Sequence, residues 1–245
     1  MDDVAWTMPR RPVTARHSVM LPPMRRFQSS KIWDIAAASP LILWYGLGIW
    51  GLAPQIAKQC AALSTGLAAR PALQVLSQTA TLVFLGLQIV LFLIRHPPEV
   101  KARGVCPRLA ALIGSNLQLA FLALPRVQMS VAVSTISALL VILGTAGAVY
   151  SACQLGRAFA VFPQARRLVT GGPYRIVRHP LYLTEQIATL GALLQFSQPW
   201  SLLIALASFA AQFPRMHYEE KVLRETYPAY AELSGRTWRL IPYIY

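Results

Sequence analysis

TLVFLGLQIVLFLI, Thr81–Ile94, closes a run of 24 uncharged residues between Arg70 and Arg95. About 20 mostly apolar residues in a helix cross a hydrocarbon core of about 30 Å. The run is therefore long enough to span a membrane, and it is not alone. Between Asp34 and Lys58 lie 23 uncharged residues, including SPLILWYGLGIWGL (Ser39–Leu52), and between Arg126 and Arg157 lie 30, with the core SVAVSTISALLVILGTAGAVY (Ser130–Tyr150). Arg108 to Arg126 encloses only 17, a short span if the flanking arginines snorkel to the head groups. A last stretch, Gln186 to Pro214, holds 29 uncharged residues but is interrupted by Gln195, Ser197, Gln198 and Pro199. Proline among polar neighbours reads as a turn, which predicts a helical hairpin of two short arms.

Composition agrees. Of 245 residues, 55% are hydrophobic and 13% charged, against roughly 25% charged in an ordinary soluble domain. A water-soluble domain has no place for so much apolar surface, and a chain this poor in charge has no solvation reason to stay disordered. The reading is an all-α integral membrane protein: about four spanning helices, then a C-terminal helical hairpin.

The net charge of +14 follows from topology and needs no nucleic acid. With six segments, the N-terminal tail, the loops after the second and fourth segments and the C-terminal tail share one side. They carry 20 of the 23 basic residues. The positive-inside tendency puts that side, and both termini, in the cytoplasm. Arg10–Lys31 contains no compact apolar core of a signal peptide, so no cleaved leader is expected. Three regions result: a basic tail over 1–31 lying on anionic lipid, transmembrane helices over 32–154, and a C-terminal region with the hairpin over 155–245.

Several patterns carry less than they suggest. Gly46, Gly48 and Gly51 spell G-x-G-x-x-G, but inside an apolar span with no preceding strand, where close helix packing is the expectation. Gly144 and Gly147 carry the same reading, with room left for a cofactor to approach the backbone. Arg95-His96-Pro97 ends a helix, its cations anchoring at the interface. Cys60, Cys106 and Cys153 form no disulfide framework, and no Cys/His cluster has metal-ligand spacing, so no metal is expected.

The chemistry concentrates in LGRAFAVFPQARRLVTGGPYRIVRHPLYLTEQ, Leu155–Gln186. Gly171, Gly172 and Pro173 make a turn, followed closely by Tyr174, Arg175, Arg178, His179 and Tyr182. After the hairpin comes FPRMHYEEKVLRETYPAYAELSGRTWRLIPYIY, Phe213–Tyr245, in which Arg215 with Glu219, and Glu220 with Arg224, are spaced to pair along a helix. Glu185 lies one turn into an apolar segment and needs a cation there, Arg178 or Arg157.

LVTGGPYRIVRHPLYL, an apolar hairpin, R-x-x-x-E-E and a tail with Y-P-x-Y and R-L-I-P together resemble the isoprenylcysteine carboxyl methyltransferase and phospholipid methyltransferase superfamily of integral membrane enzymes. The resemblance covers about Leu155–Pro242. It implies S-adenosyl-L-methionine as cofactor in a cytosolic pocket, with Leu168, Val169, Gly172, Tyr174, Arg178, His179, Pro180, Tyr182, Leu183, Glu219 and Glu220 around it. It also implies Arg215 and Glu219 as catalytic residues, and as partners membrane lipids and a lipophilic or lipidated substrate from the bilayer. Carboxyl O-methylation of an isoprenylcysteine-like acceptor is the leading expectation. Alternatives are N-methylation of a phospholipid amine, S-methylation of a thiol, an NADPH-dependent sterol-type reductase with Arg166 and Arg167 at the phosphate, and a non-catalytic membrane protein.

Overall fold

A computed structural model describes residues 31–63, 69–196 and 198–245, so the predicted basic tail lies outside the described residues up to Lys31, where the first helix starts. The helices are α1 (Lys31–Leu63), α2 (Ala69–Ile94), α3 (Cys106–Asn116), α4 (Val131–Leu155), α5 (Pro180–Leu193), α6 (Trp200–Thr226) and α7 (Ala229–Arg236). The chain folds as an all-α membrane protein. Among the described residues, three stretches are long and apolar enough to cross a bilayer: Lys31–Ala61, Ala72–Ile94 and Val131–Ala158. Leu43, Leu47 and Trp50 of α1, Val83 and Val90 of α2 and Ile136, Leu139 and Leu143 of α4 stand exposed on the outside. Facing lipid, they have no reason to be inside. The opposite stripe of α1, Ala38, Leu41 and Tyr45 at helical spacing, packs with Leu91 and Phe92 of α2 and with Phe159.

The predicted third span is not one helix. After α3 the chain tightens into a 3-10 stretch, Leu117–Ala123, and the two pieces together rise about 30 Å. Polar side chains cluster at the joint and bond to helix carbonyls: Ser115 Oγ to Ala111 O (2.7 Å) and Asn116 Nδ2 to Leu112 O (2.9 Å). Such bonds compete with the helical ladder.

The hairpin is as predicted in its turn, between Leu193 and Trp200, but its arms are unequal. The first has 14 residues, whereas α6 has 27 and carries the second motif on the same rigid rod. Close packing of α4 on α5 sets the first arm. A Cβ on Gly144 would lie 2.3 Å from Ala188 N, and one on Gly147 2.6 Å from Thr184 Cγ2. The expected room for a cofactor beside these glycines is therefore filled by α5. Of the three glycines in α1, only Gly48 has a neighbour, Leu85 Cδ1 at 3.1 Å, while Gly46 and Gly51 face open space. Among the described residues no strand precedes them, and all three lie within one helix.

The Arg-His-Pro at the end of α2 also differs from expectation. The helix stops at Ile94, but Arg95 turns inward and is 5% exposed. Its Nε lies 2.7 Å from Asp34 Oδ2, and Arg166 Nη2 lies 2.9 Å from Asp34 Oδ1. Asp34, one turn into α1, is thus a buried anion held by two cations from distant segments. Arg166 also hydrogen-bonds to His96 O and to Gln164 Oε1. The two-residue strands β1 (Val100–Lys101) and β2 (Gln164–Ala165), antiparallel with Val100 opposite Ala165, clasp the same two loops. Apart from this ladder and isolated bridges, the described residues hold no sheet.

Candidate active site

Two compartments adjoin where α5 leaves the Arg-His-Pro motif. The first is a polar groove lined by Leu168 and Val169 from the loop after β2, Tyr174, Arg178 and His179 ahead of α5, Glu219 and Leu223 on α6, and Tyr230 and Leu233 on α7. The second is a cavity of about 520 Å³ between the helices, walled by apolar side chains of α1, α2, α4 and α5, with Glu185 and Arg215 as its charged residues. Trp44 and Leu47, both exposed on the outer face of α1, line it too, so it opens sideways toward lipid.

One thin wall separates them. Along Ala158–Val161 the side chains alternate: Ala158 and Ala160 line the groove, Phe159 and Val161 the cavity. On α6, Arg215 belongs to the cavity and Glu219, one turn on, to the groove. Tyr182 fills the space between. Its hydroxyl donates to Glu219 Oε2, its ring lies 4.0 Å under the Arg215 guanidinium, and its other neighbour is the His179 ring, stacked at 5.1 Å.

Glu220 organises the groove from behind. It is buried and accepts from Arg239 Nε (3.0 Å), lies 3.1 Å from His179 Nε2 and 3.2 Å from Arg178 Nε, and pairs with Arg224 at 3.8 Å. Burial alone raises a carboxyl's pKa, but the hydrogen bond from His179 and the charges of His179, Arg178 and Arg239 prevail and hold Glu220 down at about 2. Facing a carboxylate, His179 Nε2 carries the proton, and Nδ1 points toward Glu219 Oε2 at 4.0 Å. The motif loop is locked by the C-terminal tail: Arg178 N donates to Trp238 O (2.8 Å) and Arg178 Nη1 to Ser234 O (2.7 Å). Gly172 takes φ +55° at the turn before Tyr174, a left-handed conformation open to glycine.

Of the residues expected around a cofactor, Leu168, Val169, Tyr174, Arg178, His179 and Glu219 line the groove. Gly172, Pro180, Tyr182, Leu183 and Glu220 do not: Gly172 turns the loop, Pro180 starts α5, Tyr182 forms the wall, Leu183 packs on the core and Glu220 braces His179. Arg215 does not pair with Glu219 as spacing suggested; it faces Glu185 at 3.6 Å, so Glu185's partner is neither Arg178 nor Arg157. Sequence reading missed Leu223, Tyr230 and Leu233. Tyr230 stood in the quoted Y-P-x-Y, a signal present but assigned no role. Its buried hydroxyl has no hydrogen-bond partner, and burial raises its pKa, so it stays a donor.

A helical membrane bundle with a groove carrying charged side chains beside an apolar cavity defines the class: an all-α membrane protein with two adjoining compartments. Residues 132–230 match the family model described as Phospholipid methyltransferase, part of the isoprenylcysteine and phospholipid methyltransferase superfamily. The matched segment runs from α4 through Tyr230 and so contains both compartments' shared wall. The chain is also similar to the cobalt-zinc-cadmium resistance protein CzcN of Cupriavidus metallidurans, 34% identical over 113 residues, 44% of this chain and 51% of the relative. The chain thus spans about half the length of that curated relative.

Proposed function

We propose that the chain transfers a methyl group from S-adenosyl-L-methionine, held in the groove, to a lipophilic acceptor held in the cavity. The observation that carries this is the shared boundary at Ala158–Val161 and Tyr182, which must part for the two reactants to come into contact. A methyl transfer is an in-line displacement, for which the protein must align two reactants and keep water out. The donor set suits this cofactor. Glu219 is the groove's carboxylate for its sulfonium and α-amino cations, Arg178 and the exposed Arg167 suit its carboxylate, and Leu168, Val169, Leu223 and Leu233 suit an adenine. Tyr230's unpartnered hydroxyl is one further donor. The enclosed space is only about 50 Å³, against roughly 300–1,000 Å³ for a typical small-molecule site, so binding requires the loop over 164–169 and α7 to part. When bound, the cofactor supplies an electrophilic methyl; the chain's residues position it and exclude solvent.

The charge distribution supports an orientation with both termini and the groove in the cytoplasm. Isoprenylcysteine-type carboxylates, phospholipid amines and thiols all have the apolar body that the cavity suits. A carboxylate acceptor would rely on Arg215, which here faces Glu185. The reductase reading loses support, because Arg166 is committed to Asp34 and leaves Arg167 as the exposed member of the pair. Calorimetric titration of the detergent-purified protein tests the proposal: S-adenosyl-L-methionine should bind, and both His179→Ala and Glu219→Ala should weaken it about tenfold or more. Unchanged affinity in both variants, or binding of NADPH instead, overturns it.

A further inference from the structure

The two charged residues lining the cavity each hold a buried atom without a hydrogen bond, the two of opposite polarity. Glu185 Oε2 and Arg215 Nε have no hydrogen-bond partner, although the two side chains face each other with Arg215 Nη1 3.6 Å from Glu185 Oε2. Both side chains are largely shielded, 16% and 4% exposed, and Gln88 Oε1 on the facing α2 is unpartnered as well. Buried polar groups are normally hydrogen-bonded, and these line a cavity large enough to admit a molecule that bonds to them.

Resting on the methyl-transfer reading above, we propose that Glu185 is the proton acceptor of the reaction and that the acceptor is a neutral X–H nucleophile, an amine, thiol or hydroxyl on an apolar molecule, and not a carboxylate. A carboxylate in the cavity satisfies Arg215 alone and sets a second anion against Glu185, which has no other cation within salt-bridge distance among the described residues. An X–H group donates its hydrogen to Glu185 Oε2, leaving Arg215 Nε for a neighbouring oxygen on the same molecule. The lone pair on X forms the new bond to the methyl carbon, the carbon–sulfur bond breaks with its electrons kept on sulfur, and the proton on X passes to Glu185. Arg215 faces Glu185 at 3.6 Å and is stacked on Tyr182, so the pair stands where the two compartments adjoin.

The test uses membranes containing the full chain and S-adenosyl-L-methionine labelled in its methyl group, followed by alkali treatment of the labelled lipid extract. Methyl esters release labelled methanol under alkali, whereas N-, S- and O-ether methyl groups do not. The expected label is alkali-stable. Glu185→Gln should lower its incorporation at least a hundredfold, with donor affinity in detergent within about twofold of the parent, and Glu185→Asp should recover part of the rate. That range is typical of a lost general base. Donor binding with an alkali-labile label overturns this proposal alone, as does full activity in Glu185→Gln. No donor binding by the parent protein overturns the methyl-transfer reading and this proposal with it.

Discussion

Arg215 lies with its guanidinium 4.0 Å from the centroid of the Tyr182 ring, while the Tyr182 hydroxyl bonds to Glu219 one turn further along α6. One tyrosine on α5 thereby reads two successive turns of α6, one in each compartment. The ring spaces the cation and carboxylate apart, so each remains available to its own side.

Replacing Tyr182 with Phe removes the bond to Glu219 and keeps the stack. A neutral-to-charged hydrogen bond contributes about 1.5–3 kcal/mol, so S-adenosyl-L-methionine affinity should fall by about ten- to a hundredfold, while Tyr182→Leu, which also loses the stack, should depress methyl transfer further. Equal rates in the two variants would show that the ring itself has no part in the wall.

Ala160→Phe places an aromatic ring on the groove side of Ala158–Val161. Donor binding should fall by more than tenfold with thermal stability in detergent little changed. Unaltered binding would mean that Ala160 does not border the cofactor.

Glu220 has a folded pKa of about 2 against an ordinary value of 4.5. Its folded value is depressed, so its contribution to stability is complete above about pH 4.5 and is lost as pH falls toward 2. The stability gap between wild type and Glu220→Gln should be largest near pH 6 and shrink through that window, as read by thermal unfolding in detergent. A gap independent of pH would contradict the bracing role.

Asp34→Asn leaves Arg95 and Arg166 buried without their anion. Breaking such a pair costs about 3–5 kcal/mol, measurable as a large drop in unfolding temperature. A change below about 1 kcal/mol would mean that water reaches the cluster.

Gly144→Leu forces a side chain into the α5 backbone and should destabilise by at least about 1–3 kcal/mol, whereas Gly46→Leu, facing open space, should be nearly neutral. Comparable losses at both sites would contradict the asymmetric packing of α4 and α1.

The membrane class was legible because hydrophobic run length is a local property that lipid enforces directly. Runs over α1, α2 and α4 matched helices, and the polar turn near Pro199 marked the hairpin. The third segment defeated that ruler because Ser115 and Asn116 bond to the backbone of their own helix. The groove residues near His179 and Glu219 were legible because both motifs are compact and rich in polar groups a membrane chain otherwise avoids.

Pairing was a different matter. Spacing along one helix offered Glu219 as the partner of Arg215, yet Glu185, thirty residues earlier in the chain, faces it; spacing offered Arg95 as an interface anchor, yet Asp34 draws it inside. Run lengths, charge asymmetry and the two motifs were written in consecutive residues, so the chain alone settled membrane class and pointed to the neighbourhood of the candidate site. Which charge meets which, and that two compartments share the wall at Tyr182, depended on how α5 and α6 lie against each other. The reason is physical: a buried ion takes the nearest opposite charge in space, and distance in space is set only when the helices pack.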